Sequence, residues 1–399
     1  MISKKMEGLV KGSSVIRAMF EEGKQMAAKY GAENVYDFSL GNPNVPAPAE
    51  VNEAIIDIVR NTDSVKLHGY MSNAGHDEVR QAIAESLNRK YGTAYGVGNI
   101  VMTVGAAGGL NVALKAILNP GDEVIAFAPY FGEYNNYVSN FDGQMVIITP
   151  DIKTFQPNLS EFEQKITNKT ACVIVNSPNN PTGVIYSEET LRQMSEILEK
   201  KQKELSRTIY LITDEPYREL AYDGATVPWV PLFYRNTIVG YSYSKSLSLP
   251  GERIGYLVIP SEADDYDDLA AAAGVATRIL GFVNAPSIMQ LVIGKCLDAA
   301  TDISYYDRNR NTLYEGLTKL GFTCQKPEGA FYLFLKSPIE DEKEFVAMAK
   351  KYNLLLVPGS TFMCAGFVRI AYCVSYETVT GSLKAFEKLA AELKAAGKL

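Results

Sequence analysis

From about residue 100 the chain repeats one pattern: a short apolar run, a polar turn, then a stretch with apolar residues at helical spacing. The runs at 100–103, 123–127, 145–148, 171–175, 209–212 and 237–240 predict strands. Several are apolar on successive residues rather than alternate ones, which fits a mostly parallel sheet covered by helices on both faces. The pattern therefore predicts a large α/β domain.

Beyond about residue 290 the pattern changes. A long helix over 288–320 is predicted, then strands over 331–335 and 368–372 and a closing helix over 379–396. With a helix over 14–29, these elements predict a smaller α+β domain. The expected division is a large domain at 46–288 and a small domain built from 1–45 and 289–399. No repeat or linker-like tract separates them.

Composition narrows the classes of partner. Of 399 residues 47% are hydrophobic and 21% charged, and the net charge of −7 lacks the basic field that attracts nucleic acid. The amino-terminal residues have no apolar signal-like core, and no later run approaches a membrane span of about 20 apolar residues. The chain reads as cytoplasmic, with small molecules as partners. Five scattered cysteines without a C-x-x-C pair indicate neither a disulfide framework nor a zinc site. Two histidines, His68 and His76, leave little for a metal centre or a Ser-His-Asp hydrolase.

In open sheets of this kind ligands bind beyond the carboxyl ends of the strands. There the sequence places Gly105-Ala106-Ala107, Pro129-Tyr130-Phe131, the turn-forming run 176–183, Asp214 with Tyr217, and Ser242-Tyr243-Ser244-Lys245. Lys245 is either a surface lysine near a turn or an amine held in a cleft, where desolvation makes it nucleophilic toward an aldehyde. Asp214 closes an apolar strand and must be paired or solvated. A pyridoxal phosphate (PLP) ring needs such an anion at its nitrogen. Asn180 and Tyr217 are candidates for the ring oxygen. A phosphate suits the helix start at Gly105, with Ser242, Ser244 and Arg253 as further donors.

Together, Asn180-Pro181-Thr182-Gly183, Asp214-Glu215-Pro216-Tyr217, Ser242-Tyr243-Ser244-Lys245 and the following Gly251-Glu252-Arg253-Ile254-Gly255-Tyr256 closely resemble the class I and II aminotransferases, PLP enzymes of fold type I. The resemblance spans nearly the whole chain. It implies the aspartate aminotransferase-like PLP-dependent transferase fold, with Lys245 carrying PLP, Asp214 at the ring nitrogen and Phe131 stacked on the ring. It further implies that Arg369 grips the substrate α-carboxylate beside Gly41, and that Tyr70 reaches the phosphate of a neighbouring subunit in a homodimer. One departure from relatives is Ala106 and Ala107 in the phosphate turn, which offer backbone donors only.

The implied reaction moves an amino group from an L-amino acid to a 2-oxo acid such as 2-oxoglutarate. The same residues also serve PLP-dependent carbon–sulfur lyases, because bond alignment with the ring decides which bond breaks. A PLP-binding regulator is the reading from another class. For an acidic substrate such as aspartate, a second cation is needed, and Arg278 from the partner subunit or Arg17 are the candidates. Each also reads as a solvated surface arginine.

Overall fold

The strand Thr170–Asn176 is buried at every position, as its run of apolar residues requires of a strand with neighbours on both edges and helices on both faces. A computed structural model describes the backbone of residues 2–11 and 15–399, and the side chains of residues 2–10 and 18–399. The Arg17 side chain, one candidate for reading an acidic substrate, lies outside the described residues. In chain order the strands are β1 (Tyr36–Asp37), β2 (Ile100–Thr103), β3 (Glu123–Phe127), β4 (Gln144–Ile148), β5 (Thr170–Asn176), β6 (Tyr210–Asp214), β7 (Thr237–Ser242) and β8 (Gly255–Val258). They are followed by β9 (Tyr332–Lys336), β10 (Leu354–Leu355), β11 (Val357–Pro358) and β12 (Phe367–Ala371).

Strands β2 to β8 form one sheet in the order β2-β8-β7-β6-β5-β3-β4. Strand β8 runs antiparallel to both β2 and β7, and the remaining neighbours are parallel. Crossover helices such as Gly105–Ile117 and Glu188–Leu205 return the chain between parallel strands. The link from β7 to β8 holds only the one-turn helix Tyr243–Ser246 and a turn, so the chain doubles back and pairs Ser242 with Gly255. That reversal brings Arg253 beside Ser244.

A second sheet, β11-β12-β9, is antiparallel and packs with the helices Ser304–Leu320 and Tyr376–Ala395. The parallel pair β1·β10 ties the amino-terminal segment to this layer. The expected single helix over 288–320 does not form. Ser287–Lys295 and Ser304–Leu320 are separate helices. The first buries Met289, Val292 and Ile293 against the same apolar cluster as the helices Ala49–Asn61 and Asp77–Tyr91. The second faces the small sheet, and one straight helix could not bury both faces.

Candidate active site

The carboxyl ends of β5, β6 and β7 lie side by side, with Asn176 paired to Asp214 and Asp214 to Gly240. Residues far apart in sequence therefore open into one cavity of about 280 Å³. It is lined by Gly41, Ala106, Ala107, Phe131, Asn180, Asp214, Tyr217, Ser242, Ser244, Lys245, Arg253 and Arg369.

At one end the helix Gly105–Ile117 starts with Gly105 in the left-handed region, φ +68°. A side chain at Gly105 would place its Cβ 2.5 Å from Nη2 of Arg253, so glycine there lets the guanidinium approach the helix start. Ser242 Oγ accepts from Ser244 N at 3.2 Å and donates to Ser244 Oγ at 2.7 Å. Arg253 Nη1 is held by Pro250 O at 2.9 Å. Helix N–H groups, two hydroxyls and a guanidinium on one patch make an anion cup.

At the floor, Asp214 is 6% exposed. Its Oδ2 accepts from the Tyr134 hydroxyl at 2.6 Å, and its Oδ1 is buried without a partner. Burial pushes its pKa up to about 7; the Tyr134 hydrogen bond opposes that shift and Glu215 adds to it. Asn176 locks the strand ends together: its Nδ2 donates to Asp214 O at 2.8 Å and its Oδ1 accepts from Asn180 N at 2.7 Å.

Lys245 Nζ donates to Gly41 O at 2.7 Å. Burial lowers its pKa to about 8; Cys373 opposes the shift, and the cations Arg253 and Arg369 reinforce it. Near neutral pH roughly a tenth of this amine is then unprotonated, far more than for an ordinary lysine, and that fraction is the nucleophile.

At the far wall, Arg369 is 2% exposed, between the rings of Tyr332 and Phe362 at 4.6 and 4.8 Å. Its Nη1 donates to Asn180 Oδ1 at 3.1 Å and its Nη2 to Ser39 O at 2.5 Å, while Nε has no partner. A buried cation without a carboxylate is costly to leave uncompensated, so the site is built for an anion. Tyr217 OH and Tyr332 OH lie 2.8 Å apart. A Cβ on Gly41 would sit 2.0 Å from Tyr332 OH, which leaves room for glycine only.

Two residues named from the sequence lie elsewhere. Tyr70 is 91% exposed, and Arg278 is exposed on the helix Tyr266–Ile279; neither lines this chain's cavity. Sequence reasoning missed Tyr134, Asn176 and Tyr332. Asn176 lay within the flagged turn, but no spacing rule distinguishes Tyr134 among 24 tyrosines.

The fold and this cavity define a PLP-dependent enzyme of the aminotransferase type. The family described as aminotransferase class I and II matches residues 32–386, and the chain belongs to it. It is similar to the aspartate aminotransferase of Thermotoga maritima, 31% identical over 376 residues covering 94% of this chain and 96% of that one. It is also similar to the probable aspartate/prephenate aminotransferase of Aquifex aeolicus, 31% identical over 389 residues, covering 93% of this chain and 94% of that one. Among solved structures, an amino transferase from Eubacterium rectale matches with a TM-score of 0.96 at 48% identity, over 98% of this chain and 99% of that one. Aspartate aminotransferase from Thermus thermophilus, solved with maleate, matches with a TM-score of 0.86 at 26% identity, over 98% and 99%.

The family's cofactor, PLP, fits the residues present. Asp214 Oδ1 is an orphaned buried acceptor suited to a ring N–H, and the anion cup suits the phosphate.

Proposed function

We propose that this transaminase moves an amino group from an L-amino acid to a 2-oxo acid, 2-oxoglutarate among the acceptors, with ping-pong kinetics. The observation that carries the reading is one cavity holding the Lys245 amine, the unpartnered Oδ1 of Asp214 and the unpartnered Nε of Arg369. Bound PLP supplies a ring that stabilises negative charge at the substrate α-carbon. Asp214 holds a proton at the ring nitrogen, and Asn180 and Tyr217 bind the ring oxygen. The helix start at Gly105, Ala106 and Ala107, with Ser242, Ser244 and Arg253, holds the phosphate, and Phe131 covers a ring face. Arg369 orients the substrate by its α-carboxylate beside Gly41. The Lys245 amine, when free, would be placed in the same cavity to take the proton from the substrate α-carbon.

The proposed donor class includes aspartate. Relatives bear that name, and the Thermus structure was solved with a dicarboxylate. Within this chain's cavity no cation other than Lys245, Arg253 and Arg369 is present among the described residues. The distal carboxylate is then read by Arg278 of a second copy, and Tyr70 crosses to the partner's phosphate in the same homodimer; their exposure supports this. A cytoplasmic setting fits five free cysteines. The test is a panel of amino donors, each assayed with and without 2-oxoglutarate. Keto-acid release that requires the acceptor supports transamination; sustained release without it sinks the proposal.

A further inference from the structure

We infer that Tyr134 is a positioning residue for Asp214: its phenol occupies one carboxylate oxygen, so that the other meets the cofactor ring as an ionised acceptor and the proton stays on the ring nitrogen. The inference rests on the proposed pairing of Asp214 with that nitrogen.

A proton between a carboxylate and a pyridine nitrogen goes to the stronger base. Everything the fold does to Asp214 except one contact strengthens the carboxylate as a base. Burial disfavours its charged form, and the adjacent Glu215 adds like charge, although Glu215 is itself engaged by Arg218 and Thr213. The other titratable groups that face it are Tyr137 and Tyr217. The opposing contact is the 2.6 Å hydrogen bond from Tyr134, which stabilises the ionised form.

Tyr134 is fixed in this role by its surroundings. It is 1% exposed, so water does not replace its hydroxyl at Oδ2. Its ring stacks on Tyr130 at 5.9 Å with planes 5° apart and meets Phe131 edge-on at 5.8 Å. Phe131 lines the cavity, so the segment that covers the cofactor also delivers the phenol. With Oδ2 taken, Oδ1 is the one oxygen of Asp214 left without a partner.

Tyr134→Phe removes the hydroxyl and keeps every ring contact. The holoenzyme is prepared with PLP carrying ¹⁵N at the ring nitrogen, whose NMR shift reports whether that atom bears the proton, and PLP affinity is measured by titrating the apoenzyme. The native protein gives the protonated shift. Tyr134→Phe moves it toward the neutral pyridine value and weakens PLP binding on the order of tenfold. Tyr130→Phe, which removes the neighbouring phenol, leaves both readings native. Asp214→Asn moves the shift at least as far as Tyr134→Phe. A native shift in Tyr134→Phe beside a displaced one in Asp214→Asn overturns the role of Tyr134 alone; a native shift in both overturns the Asp214 pairing beneath it. Should Tyr134→Phe fail to fold, 3-fluorotyrosine at position 134, near-isosteric and a stronger donor, decides the matter: PLP binding at least as tight as native supports the inference, and weaker binding overturns it.

Discussion

Replacing Arg369 with lysine keeps one positive charge and discards the fork. The guanidinium has five N–H donors. Asn180 Oδ1 and Ser39 O take one each, leaving Nε and one hydrogen on each terminal nitrogen for a substrate carboxylate. A lysine ammonium has three donors on one atom and cannot serve both protein acceptors and a carboxylate in two-point geometry. The expected loss is one charged hydrogen bond, about 1.5–3 kcal/mol, or roughly 10- to 100-fold in kcat/KM. It should appear mainly as a higher KM for the amino donor. The assay compares an amino acid with the primary amine of the same side chain, which lacks the α-carboxylate. Lysine should slow the amino acid and leave the amine nearly unchanged. An equal loss on both donors would show that Arg369 acts on the site's shape rather than on the carboxylate, and would refute the reasoning. Stability supplies a second check. Because the cation is buried without an anionic partner, Arg369→Met should leave the apoenzyme as stable as before or more so; a large drop in Tm would mean that its two protein contacts outweigh its desolvation.

Borohydride reduction of the holoenzyme should fix the cofactor to Lys245, and a peptide map with the label elsewhere would remove that assignment. Because the Lys245 pKa is lowered to about 8, the rate at which apoenzyme takes up PLP should rise as pH increases through that value, and a flat profile would count against it. The folded pKa of Asp214, about 7, lies above its ordinary 3.8, so this group's contribution to stability is full below the ordinary value and is lost as pH rises through the folded one. Apo Asp214→Asn should therefore melt above the native apoenzyme at pH ~8 and converge with it toward pH ~4, read by thermal scans; a gain that is constant with pH would contradict this. Arg278→Ala should lower kcat/KM for aspartate on the order of 10² while sparing alanine. Mixing it with Lys245→Ala should restore some aspartate activity, since one site of the mixed dimer then has both residues. Equal losses on aspartate and alanine would make Arg278 a surface or structural residue.

The local pattern of the sequence was enough to place the parallel strands of the large sheet within a residue or two. Buried strands such as β5 are apolar on successive residues, Ala171 to Val175, and the turns after them switch abruptly to polar residues. The motifs around Asn180, Asp214 and Lys245 were legible for the same reason: each lies at or just beyond the carboxyl end of its strand. Strand β8 escaped notice, because four buried residues do not declare their direction and the reversal depends on pairing with β7 and β2. The helix break between Lys295 and Ser304 was also hidden, since apolar spacing shows that a face is buried but not against which layer. Tertiary structure alone decided the electrostatics. The pKa values of Asp214 and Lys245 follow from burial, the orphaned Oδ1 from Tyr134 lying 80 positions away, and the unpaired Arg369 from two aromatic rings, Tyr332 on β9 and Phe362 shortly before β12. Desolvation and hydrogen bonding depend on what surrounds a group in space, and a linear chain specifies its neighbours only after strand order and packing have been set.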